Sequence, residues 1–184
     1  PSARATNTPY TKVTIQANQG AWGNNLGDLN GDGLLDIVEG GGDLGGSVYW
    51  YQYPSWQRFQ VGNDGGGDDL QIRHVNAEGA PDVVVNGSGK IVWYQNPRGT
   101  GGNVQSSWVK HTVDSTTQSH DIALTDLNAD GRMDIVIRIE LGSTYYYLQG
   151  TNADSWTRVL IPQAPDGHGG LAVADINRDG HLDI

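Results

Sequence analysis

Apolar residues come in short runs along this chain, separated by clusters of glycine, aspartate, asparagine and serine, and the runs fall into four kinds that follow one another in a fixed order. One kind leads into a polar loop ("DIALTD", 121–126; "GLAVAD", 170–175) and a second leaves it ("MDIVIR", 133–138). A third is aromatic: "SVYWYQYP" (47–54), "KIVWYQNP" (90–97) and "STYYYLQG" (143–150). The fourth has the form aromatic-x-Lys/Arg-x-x-Val/Ile, in "WQRFQV" from Trp56, "WVKHTV" from Trp108 and "WTRVLI" from Trp156, with "YTKVTI" (10–15) near the start. Adjacent β-branched and aromatic residues bounded by turn formers predict short strands. No window shows convincing i, i+3, i+4 apolar spacing, and 27 glycines supply the turns. Four antiparallel strands per repeat of ~40–50 residues predict an all-β fold of propeller blades.

The polar loops between the first and second strands carry the chemistry. In "GDLNGDGLLDIV", Asp28, Asn30, Asp32 and Asp36 occupy positions 1, 3, 5 and 9, with Gly33 at position 6. Hard oxygen donors at such offsets suit Ca²⁺, glycine permits the sharp turn, and the backbone carbonyl of Leu34 at position 7 is a natural further ligand. Glu39 at position 12 completes an EF-hand pattern, but the flanks read as strands, and the equivalent residue in the next good copy is Ile137. Aspartate at position 9 does recur. The copies are Asp126, Asn128, Asp130 and Asp134 with Arg132 at position 7, and Asp175, Asn177, Asp179 and Asp183 with His181 at position 7. A degenerate copy has His74, Asn76, Glu78 and Asp82; histidine suits borderline metals better than calcium, so weak calcium binding or none is expected there. The loops start at 28, 74, 126 and 175, a spacing typical of propellers, solenoids or arrays.

The motif D-x-N-x-D-G-x-x-D-I/V resembles the calcium loop of FG-GAP or VCBS-type repeats, as in integrin α-chain propellers and many secreted microbial proteins. The resemblance implies a β-propeller with structural Ca²⁺ in the hairpin turns. On this reading the whole chain, 1–184, is a partial propeller of about three and a half blades, at roughly 20–61, 67–113, 119–161 and 168–184, with 10–15 as the last strand of a preceding or closing blade. The expectation is a fragment of a longer propeller of six to eight blades.

A net charge of −10 argues against binding a phosphate backbone, which calls for basic patches, so no nucleic-acid partner is expected. No apolar run approaches the ~20 residues of a membrane span. The chain lacks cysteine, which removes disulfides and thiol nucleophiles. Acidic loops of this kind fill best where calcium is millimolar, so the expected location is extracellular, after secretion.

Two histidines, His120 and His168, precede the first strand of their repeats, at the end opposite the calcium turn, where a general base facing a central pocket could stand; interblade hydrogen bonding is the structural alternative. Trp22 and Asp68 hold roughly the same place in the other repeats. Arg73 and Arg138 could clamp a uronate carboxylate, although for Arg138 a salt bridge with Glu140 or a neighbouring blade is simpler. His111 reads as an ordinary strand residue. Of Trp50, Tyr51, Trp93, Tyr94, Tyr145 and Tyr147, about half are expected in the core and the others free to stack on sugars. The leading expectation is a secreted, calcium-stabilised propeller that binds glycan or extracellular protein through loop-borne aromatics; an integrin-like adhesion module is a third possibility. The alternative is a carbohydrate-active enzyme, a polysaccharide lyase or sugar dehydratase, which the weaker likeness of the "WYQNP" and "WVKHTV" strand pair to secreted carbohydrate-active propellers also implies.

Overall fold

The computed structural model describes residues 11–17, 20–42, 45–64, 68–87, 89–117, 119–139, 142–162 and 170–184. Three four-stranded antiparallel sheets hold twelve strands in simple up-and-down order. The first contains β1 (Gly23–Gly27), β2 (Asp36–Gly40), β3 (Val48–Gln52) and β4 (Gln57–Gly62). The second contains β5 (Leu70–Arg73), β6 (Asp82–Gly87), β7 (Lys90–Gln95) and β8 (Val109–Asp114). The third contains β9 (Asp121–Thr125), β10 (Asp134–Arg138), β11 (Thr144–Gln149) and β12 (Trp156–Ile161).

Successive side chains on a strand point to opposite faces, and the middle sheet has a neighbour on each. Val83, Val85, Val92 and Tyr94 meet Val38, Val48, Trp50 and Val61 of the first sheet. Val84, Ile91 and Trp93 meet Ile122, Leu124, Ile135, Ile137 and Tyr147 of the third. This is why β6 is buried at every residue, polar Asn86 included. Its amide reaches across to the carbonyls of Ser119 and His120, both at 2.9 Å. The first strands stand side by side, β1 against β5 and β5 against β9, and the fourth strands lie at the outer edges, where lysine, arginine and glutamine blunt an exposed edge.

Two expectations fail. Residues 11–15 carry no strand, with Tyr10 outside the described residues. Residues 170–175, expected to lead into the last loop, form no strand either; a single bridge joins Ala174 to Asp183. A one-turn 3-10 helix at Pro97–Thr100, unforeseen in the sequence, extends the β7–β8 connection under an Asn96 cap.

Candidate metal loops and the interfaces around them

Each good loop curls around its first aspartate. Asp28 accepts the amides of Gly31 (2.6 Å) and Asp32 on one oxygen and that of Gly33 (2.9 Å) on the other. Asp126 takes the amides of Asp130 and Gly131, and Asp175 those of Asp179 and Gly180. Position 3 accepts the amide of position 5 in all three, and position 5 that of position 7. The curl needs a left-handed residue at position 4, filled by Gly31 (φ 80°), Ala129 (59°) and Arg178 (65°), and another at position 6, filled by Gly33, Gly131 and Gly180. A left-handed residue with a side chain is uncommon, so its recurrence at one position marks a shared conformation.

Position 9 has a second role that spacing alone did not reveal. Asp36 accepts the amide of Leu29 at 3.1 Å and that of Tyr53, beyond β3, at 3.0 Å. Asp134 does the same with Leu127 and Gln149, and Asp82, in the degenerate loop, with Val75 and Asn96. These three carboxylates are buried. Burial raises the pKa of each despite the amide bonds, and neighbouring loop carboxylates add to the rise: Asp32 at Asp36, Asp130 and Asp126 at Asp134. The signal for this staple was Asp82 itself, retained where the first ligand is lost.

At Leu29 and Val75, the residue whose amide the staple accepts also ties the loop to the adjoining sheet. The Leu29 carbonyl accepts from the Asn96 amide (3.0 Å) and the Arg98 guanidinium (3.1 Å), and the Val75 carbonyl from the Gln149 amide (2.9 Å). Asn96 and Gln149 both stand two residues after a strand-3 tyrosine, a recurrence that could have been found by aligning the repeats.

The donor set fits a hard divalent cation: carboxylate, amide and carbonyl oxygens at positions 1, 3, 5, 7 and 9. Among the described residues no three His, Cys, Asp or Glu side chains already converge as a metal cage, because each loop carboxylate faces its own backbone amides. Two loops differ in local charge. The Arg132 guanidinium pairs with Asp130 and donates to the Gln149 carbonyl at 2.9 Å, whereas Asp32 meets only the Asn30 amide and the Leu34 N–H. In the degenerate loop, His74 replaces the gathering carboxylate and Glu78 turns away to the Gln95 amide.

At the other end of the sheets, His120 is about one-third exposed, its Nδ1 3.2 Å from Asp121 and 3.3 Å from the Arg138 guanidinium, with Nε2 3.9 Å from Asp68. Arg138 is buried and pairs with Asp121 of the neighbouring strand at 2.6 Å; Glu140 lies outside the described residues. His168 lies outside them as well. Asp69 accepts the Ile122 amide from the next sheet (3.1 Å), and burial raises its pKa. Arg73 points back to the Ile72 carbonyl.

The aromatic strand is core. Trp50, Tyr51, Trp93, Tyr94 and Tyr147 are at most 2% exposed, and Tyr145 lies beneath the Arg158 guanidinium. None presents an open platform: the middle sheet is covered on both faces, the Tyr51 hydroxyl donates to Glu39, and the Arg158 guanidinium covers Tyr145. Exposed aromatic surface lies elsewhere: Trp22 is 64% exposed and Tyr53 40%, the latter edge-on to Trp56 in the β3–β4 turn. No helix among the described residues is long and apolar enough to cross a membrane.

Residues 74–137, from the degenerate loop through most of β10, match an FG-GAP-like repeat. No curated protein and no solved structure matches the chain.

Proposed function

We propose that this chain is part of a secreted, calcium-stabilised β-propeller that serves as a binding module for glycan or extracellular protein. The observation that carries the calcium part is the same backbone curl, with the same oxygen donors, at Asp28, Asp126 and Asp175. Asp28, Asn30, Asp32, Asp36 and the Leu34 carbonyl would hold one ion, and the Arg132 and His181 carbonyls would complete the other two sets. A bound ion supplies a charge-neutralising cross-link at the turn. The propeller reading draws support from three sheets packed face to face with their first strands adjacent, a blade arrangement.

Ligand recognition on this reading belongs to loop aromatics, Trp22 and the Tyr53–Trp56 pair, since the strand aromatics are buried. Planar rings stack on the apolar faces of sugars and anchor protein contacts equally well. The test is binding of the full chain to glycan and extracellular-protein arrays in calcium, repeated with Trp22→Ala and Tyr53→Ala. Loss of the retained ligand in a variant of unchanged melting temperature supports the reading; binding unaffected by both substitutions contradicts it. The enzymatic alternative draws less support, because the Arg138 guanidinium that would steady an enolate is committed to Asp121.

A further inference from the structure

His111, on the outer strand β8, stands between two oxygen acceptors. Its Nδ1 lies 2.7 Å from a carboxylate oxygen of Asp154, in the β11–β12 turn of the third sheet, and its Nε2 lies 3.1 Å from the Gln95 amide oxygen. Which way an amide points follows from its bonds, and here the far side of Gln95 decides it: the amide nitrogen donates to the Glu78 carboxylate. Turning the amide over would set its oxygen against that carboxylate, acceptor against acceptor. A carboxylate and a carbonyl only accept, so both contacts are hydrogen bonds only in the imidazolium, the one form with two ring N–H donors. The ring also stacks on Trp93, centroids 4.0 Å apart and planes within 10°, a face that favours a cation.

We propose that His111 is a proton-dependent latch between the second and third sheets, closed when the imidazolium bridges Asp154 and Gln95 and weakened when the ring loses a proton. The chain of contacts runs from Glu78 in the degenerate loop through Gln95 and His111 to Asp154, so it fastens the third sheet to the loop that lacks the first carboxylate. Charged groups around it are Asp154 from the third sheet and Glu78 from the second, with His74 and Arg132 across an adjoining cleft of about 430 Å³; Val113 and Trp156 contribute apolar surface to the same core. Two N–H donors on one ring, one to a carboxylate, make charge-assisted bonds, and a neutral ring forfeits one of them. The latch therefore holds where the ring carries both protons and loosens where it carries one.

The test is a double-mutant cycle of His111→Gln and Asp154→Asn in the full chain, read as melting temperature at about pH 5.5 and about pH 8.5. Asp154 is half-exposed and its replacement isosteric, so that variant retains the fold. The expected non-additivity is about 2 °C or more at the lower pH, falling by half or more at the higher. Equal coupling at both pH values, or none at the lower, overturns the latch. A second variant examines the amide: Glu78→Gln frees Gln95 to turn over and donate to Nε2 of a neutral ring, so the coupling should lose its pH dependence, and an unchanged dependence contradicts the relay.

Discussion

Asp114, at the end of β8, joins the second sheet to the third through one carboxylate. It accepts the Tyr147 hydroxyl at 2.8 Å and lies 3.5 Å from Arg158. Burial works to raise its pKa, but the Thr116 amide and the hydroxyls of Tyr147, Thr116 and Thr117 together prevail and hold it at about 2. The same carboxylate, with burial as the larger cause, pushes Tyr147 up to about 12. A carboxyl whose pKa is lower folded than unfolded stabilises the fold above the ordinary aspartate range, and that contribution fades as pH falls towards 2. Wild type should therefore melt above Asp114→Asn by a constant margin above about pH 5, and the margin should shrink on acidification; a pH-independent margin would show that these hydrogen bonds do not favour the anion. A second residue-scale prediction concerns Gly62, where a Cβ would stand 2.1 Å from the Tyr94 ring. Gly62→Ala should cost about 1–3 kcal/mol by overpacking, read from the urea midpoint, and an unshifted midpoint would mean that Tyr94 has room to move.

Among the elements, the stapled hairpin is the recurring unit, and its staple does not depend on an ion. Asp82 joins the Val75 and Asn96 amides, so Asp82→Asn turns an NH₂ group towards one of two buried donors and should cost about 1–3 kcal/mol. The cost should be the same with calcium and without it, because this loop has no first carboxylate. Asp134→Asn should cost more in calcium than in chelator, and a calcium-dependent cost at Asp82 would reassign the degenerate loop as a metal site. The loops themselves were legible in the sequence because their logic is local: oxygen donors and a glycine at fixed offsets within nine residues. The staples were not, since Tyr53 and Asn96, just past a third strand, and Gln149, at the end of one, come within reach only after the chain returns beyond the hairpin. Alternation along the aromatic strands correctly gave two faces, but which face meets water depends on neighbouring sheets. Residues 11–15 and 170–175 have strand-like patterns but form no strand among the described residues; strand formation needs a paired neighbour, a tertiary condition that local pattern omits.

Over the whole molecule, the hydrogen bonds between sheets link loops to strands, so an ion in a loop would act beyond its own turn. The Leu29 carbonyl, bonded by Asn96 and Arg98, belongs to the same loop whose Asp28 and Asp36 would bind calcium. Filling that loop should stiffen the joint between the first and second sheets. The Arg132–Asp130 pair predicts unequal sites, the loop at 126–134 weaker than the loop at 28–36, since the guanidinium already occupies a carboxylate that the ion needs. The most direct measurement is calcium titration of the full chain by calorimetry, with Asp28→Ala, Asp126→Ala and Asp175→Ala compared alongside. The account predicts three bound ions, one lost with each substitution, and a melting temperature that falls on chelation. A chain that binds no calcium and melts identically in chelator would contradict it.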